Sequence, residues 1–171
     1  MKLAFLEDRP WIVWQIVEDI KKNYDLKEIM LIYYNNEENT ESKKLKEVIS
    51  KCKENNIPFK EIGRWNFDAE MNKLYDDKDR IFFFDLVLDD NVDYFEDRIN
   101  VRYARNNKED GRIWFYTTSG VYNVTNLANM FGEEQTIDVI DYDPEKNQIK
   151  FAEQSLNNIL QDCKLLRDNR R

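Results

Sequence analysis

The 171-residue chain contains no histidine. That absence excludes histidine-based catalytic triads, a phosphohistidine donor and histidine-containing zinc sites. Any chemistry here runs on carboxylates, hydroxyls, lysines or a hard cation bound by oxygen. Cysteine is nearly as scarce. Cys52 and Cys163 lie far apart, each inside a helix-like stretch. This is the pattern of buried, reduced thiols in a cytosolic protein rather than of a disulfide framework. No apolar run is long enough to span a bilayer, and the opening "MKLAFLEDRP" is not a signal peptide, so a cytoplasmic location without a membrane partner is expected. Low-complexity segments and internal repeats are also lacking. One domain over residues 1–171, with a short frayed tail at about 167–171, is the expected organisation.

Positive charge is in deficit, with 26 Lys and Arg against 34 Asp and Glu, for a net charge of −8. An acidic chain repels phosphate backbones, so no nucleic-acid partner is expected. Arg167, Arg170 and Arg171 in the tail are too few to reverse this.

What is present is an alternation of short apolar runs with longer amphipathic ones. "LAFLED" reads as a strand, after which Asp8 is a helix N-cap and Pro10 lies in the first turn. Ile12, Val13, Ile16, Val17 and Ile20 then recur at helical spacing. "EIMLIYY" is a second strand, and Leu45, Val48, Ile49 and Cys52 form one face of the helix that follows. "FKEIGRW" is more polar, as suits a sheet edge, and "FDAEMNKLYDD" is a short helix. "RIFFFDLVL", "RIWFYTT" and "TIDVIDY" are further strands, separated by helical "DYFEDRINVRYARNN" and "VTNLANMF". The last strand also admits a hairpin reading, "VIDYDPEKNQIKF" folding back around Pro-Glu-Lys-Asn. A closing helix spans about 151–167.

Strands that alternate with helices predict a doubly wound α/β fold, a parallel sheet with helices on both faces. Right-handed crossovers carry the C-terminal ends of all its strands to one rim, where open α/β sheets bind ligands. Glu7, Asp8, Asp85, Thr117 and Thr118 all fall at such ends.

In that order, "FLEDRP", "FFFDLVL" and "IWFYTT" resemble the first, third and fourth strand ends of the receiver domains of bacterial two-component response regulators. The resemblance implies a flavodoxin-like strand order and a signalling role. Glu7 and Asp8 would hold Mg²⁺, joined by Asp85 and the backbone carbonyl of Val87. Asp85 would be the phosphoacceptor, and Thr117, or alternatively Thr118, the switch hydroxyl. The implied partners are a sensor histidine kinase and a downstream effector protein, with no turnover of substrate.

The chain departs from the family pattern in three places. No lysine closes the fifth strand, where Asp143–Pro144 stands instead; Asp89 and Asp90 replace a neutral pair; and the segment between Tyr24 and Asp79 holds one βα unit more than a receiver has. That extra unit is expected at the sheet edge. Other readings stay open. Asp85 can be a relic in a pseudo-receiver that acts by protein–protein interaction, or a solvated strand end. Glu7–Asp8 can be an N-cap arrangement, and the threonines ordinary strand-end residues. The alternative enzyme is a Mg²⁺-dependent phosphoester hydrolase using the acidic rim, with Glu7, Asp85 and Asp89, or Glu7 with Asp141 and Asp143. The Asp-x-Asp signature of haloacid-type phosphatases is not met, because Leu86 and Val87 follow Asp85.

Overall fold

The computed structural model describes residues 1–7, 14–35, 43–85, 99–107, 112–116, 135–137, 139–143, 145 and 148–168. Its centre is a five-stranded, all-parallel sheet. Strand β1 (Lys2–Leu6) pairs on one side with β2 (Glu28–Asn35) and on the other with β4 (Arg80–Asp85). Beyond these lie β3 (Phe59–Gly63) and β5 (Ile113–Tyr116), in the order β3-β2-β1-β4-β5. The fold is thus flavodoxin-like α/β, doubly wound as the alternating pattern predicts. The more polar strand, β3, takes the sheet edge.

Helices α1 (Trp14–Lys21), α2 (Lys43–Glu54) and α5 (Glu153–Asp168) cover one face. They direct Ile16, Val17, Ile20, Leu45, Val48, Cys52, Ile159 and Cys163 onto Leu3, Phe5, Phe83 and Trp114. Helices α3 (Phe67–Tyr75) and α4 (Ile99–Asn106) cover the other face, where Phe67, Met71, Val101 and Ala104 meet Ala4, Leu6, Phe82, Phe84 and Phe115. Side chains alternate across a strand, so each central strand feeds both layers. This is why "RIFFFD" shows no polar face: all six residues of β4 are buried. Phe5 and Phe83, on neighbouring strands, stack with ring centroids 4.8 Å apart at an interplanar angle of 16°.

Helix α2 stops where Asn56 turns into the left-handed region at φ 54°, and Ile57 N donates to Cys52 O at 2.8 Å. Asparagine tolerates that conformation better than most side chains, which makes it a common helix stop. Both thiols are free and buried. Burial pushes Cys52 up to about 11, and burial together with the adjacent Asp162 charge pushes Cys163 up to about 12. They remain protonated packing groups at neutral pH.

The hairpin reading of the last strand holds. β6 (Val139–Asp143) pairs antiparallel with β7 (Gln148–Phe151), and the parallel sheet is extended at that side by an isolated bridge, Phe115 to Thr136, with Ile137 N donating to Phe115 O at 2.7 Å. Among the described residues no helix is long and apolar enough to cross a membrane.

The beginnings of the strands are tied by ionic contacts. Arg80 Nη1 lies 2.6 Å from Glu28 Oε1, and Lys2 Nζ lies 2.8 Å from Asp77 Oδ2. Arg112 donates to the carbonyls of Tyr75, Asp77 and Arg80 at 2.9, 3.1 and 3.3 Å, and its guanidinium stacks 4.0 Å above the Tyr75 ring.

Candidate functional site

The chain leaves β1 toward α1 on one face of the sheet and leaves β4 toward α4 on the other. The C-terminal ends of these two adjacent strands therefore flank the topological switch point, where doubly wound sheets form a crevice. Glu7 and Asp85 stand there. Leu6 lies opposite Phe84 in the ladder, so the next residues, Glu7 and Asp85, leave neighbouring strands side by side. By alternation both share the face of Phe5 and Phe83, and they sit one step above that stack. Interstrand spacing puts their backbones about 5 Å apart. Both are 1% exposed. The reading of Asp85 as a solvated strand end is therefore not what the structure has, and neither carboxylate faces bulk water.

The row continues on β5. Asp85 is in register with Tyr116, which is fully buried on the same face. The Tyr116 hydroxyl donates to Glu7 Oε2 at 2.5 Å. Two strand spacings, about 10 Å, separate β5 from β1, so the phenol reaches across the strand that carries Asp85. The ring is held by an edge-on contact with Phe151 of β7, centroids 5.7 Å apart at 83°. On the β2 side, Asn35 is buried and its Nδ2 donates to Glu61 Oε1 at 2.6 Å, which closes that end of the rim.

Of the residues singled out in the sequence, Glu7 and Asp85 are brought together. Asp8, Val87, Thr117, Thr118, Asp89 and Asp90 lie outside the described residues. Asp141 and Asp143 lie on β6 in the separate hairpin, where Asp141 is exposed and Asp143 Oδ1 accepts from Glu145 N at 3.0 Å. Tyr116 was not foreseen as a site residue. The signal that could have found it is its place: the last residue of a strand whose partner in register is Asp85.

The donor set suits a hard cation. Two carboxylates on one face offer the oxygen ligands that Mg²⁺ prefers, and a divalent charge offsets their repulsion. Among the described residues no group of three or more acidic, histidine or cysteine side chains gathers to complete a metal shell. No family model, curated protein or solved structure matches this chain.

Proposed function

We propose that this chain is a receiver-like signalling module in which Asp85 accepts a phosphoryl group from a partner kinase. One observation carries the reading: Glu7 and Asp85 are buried side by side at the switch point of a flavodoxin-like sheet. Like charges on adjacent strands repel, and more strongly when buried than in water. Paired acidic groups at a strand-end rim are the kind of arrangement that functional sites use.

Glu7 and Asp85 would hold Mg²⁺, with Asp8 and the Val87 carbonyl as further ligands from the segments that continue β1 and β4. When bound, the cation neutralises these carboxylates and the incoming phosphoryl charge. An Asp85 carboxylate oxygen forms the bond to phosphorus, the bond from phosphorus to the donor's leaving group breaks, and an acyl phosphate remains on the protein. Thr117, or Thr118, follows Tyr116 in the chain and would donate a hydrogen bond to the new phosphoryl group, the usual logic of a charge switch.

The test is incubation with Mg²⁺ and acetyl phosphate, read by intact mass. One hydroxylamine-labile phosphoryl group is expected, absent in Asp85→Asn. Persistence of the label in Asp85→Asn, or no label in the wild type, would sink the phosphoacceptor role. If the unlabelled protein still bound Mg²⁺, a pseudo-receiver acting through protein contacts would take its place. Metal-dependent release of phosphate from an aryl phosphate would point to the hydrolase instead.

A further inference from the structure

We infer that Tyr116 is a latch on this pocket: its hydroxyl and a divalent cation compete for the Glu7 carboxylate. The inference rests on the metal-binding part of the function proposed above. The phenol is fully buried and Glu7 is 1% exposed, so the hydrogen bond between them is shielded from water. It is a charge-assisted bond, from a neutral hydroxyl to a carboxylate oxygen. A hydroxyl proton directed at Glu7 Oε2 takes up one of the carboxylate's lone pairs and lowers the charge it offers, so a cation that uses Oε2 works against that bond.

The geometry gives the latch two further properties. Because Tyr116 reaches Glu7 from β5, it crosses the position of Asp85 on β4. While the hydroxyl rests on Glu7, the ring restricts approach to Asp85 from that face. The ring's edge-on contact with Phe151 then links the latch to β7. Displacing the hydroxyl disturbs a ring packed against the buried Phe151 of the hairpin. The pocket so described binds its cation less tightly than its carboxylates alone would allow, and it reports the binding.

Mn²⁺ alone is the probe, titrated into the full chain by calorimetry, with far-UV dichroism confirming that each variant folds. Losing a hydrogen bond to a charged group is worth roughly a tenfold change in Kd, so Tyr116→Phe is expected to bind Mn²⁺ about tenfold tighter than the wild type. Glu7→Gln should lose binding in both backgrounds. Binding in Tyr116→Phe alone also supports the latch. Equal or weaker binding in Tyr116→Phe, with wild-type binding intact and dependent on Glu7, overturns the latch and leaves the metal pocket standing. No binding in any variant overturns both. If Tyr116→Phe does not fold, the wild type decides by tyrosine difference absorption. A Mn²⁺-dependent change in the phenol band that is lost in Glu7→Gln supports displacement, and binding without that change overturns it.

Discussion

At the N-terminal edge of the central sheet, Arg80 and Arg112 are 5% and 3% exposed; at its C-terminal edge, Glu7 and Asp85 are each 1% exposed. Both edges bury charge, in opposite company. Arg80 faces Glu28 and Asp77, and Arg112 spends its donors on three carbonyls that cap the turn between α3 and β4. With Lys2 on Asp77, the ionic contacts join the beginnings of β1, β2 and β4 into a chain of alternating sign, and Arg112 ties the start of β5 to it through carbonyls. At the other edge two groups of the same sign stand side by side, with a phenol hydroxyl on one of them. A buried charge with complementary partners serves the fold, whereas two like charges on adjacent strands repel, the kind of setting in which perturbed groups useful to chemistry are found.

Substitutions at the two edges should therefore act in opposite directions. The largest effect is expected from Arg112→Ala, which removes a buried guanidinium that donates to one buried and two part-buried carbonyls and covers Tyr75. Urea unfolding should show a loss of about 3 kcal/mol. A loss below about 1 kcal/mol would mean that the N-terminal network does not carry the fold. Asp85→Asn comes next and with the other sign. Relieving the repulsion between Asp85 and Glu7 should raise stability by about 1 kcal/mol and, on the function proposed above, remove the phosphoryl label. Marked destabilisation would make Asp85 structural and erase the contrast between the edges.

The smallest effect sharpens the comparison through pH. Partial burial pushes the Asp77 carboxyl up, but the hydrogen bond and charge of Lys2, with the charge of Arg80, outweigh it and hold the group below its ordinary value. A folded value below the unfolded one contributes stability above about pH 4, and that contribution is lost as pH falls through the lower folded value. Its side chain is 28% exposed, so screening limits the contribution to about 0.5 kcal/mol. Asp77→Asn should lower the urea midpoint slightly at pH 7 and have no effect at pH 2. An equal change at both pH values would show that Asp77 acts through shape and not charge.

Much of the fold was legible in the sequence because hydrophobic period is a local property. Phe82, Phe83 and Phe84 in an unbroken run mark a strand buried on both faces, and Leu45, Val48 and Cys52 mark one helix face. The polar "FKEIG" announces a sheet edge for the same reason. The last strand was ambiguous between a sixth parallel strand and a hairpin. Both use the same alternation, and only the available pairing partner separates them.

The site divides along the same line. Composition and local pattern limited which residues could do chemistry: without histidine, only carboxylates and hydroxyls at strand ends remained. They also determined that Asp85 ends a buried strand. Tertiary structure decided which of these residues meet. Strand order set Glu7 beside Asp85, and register set Tyr116 level with Asp85 with its hydroxyl on Glu7. Between Glu7 and Tyr116 lie more than a hundred residues of chain. No local pattern specifies their contact, because burial and sheet pairing, which depend on the whole core, bring them together.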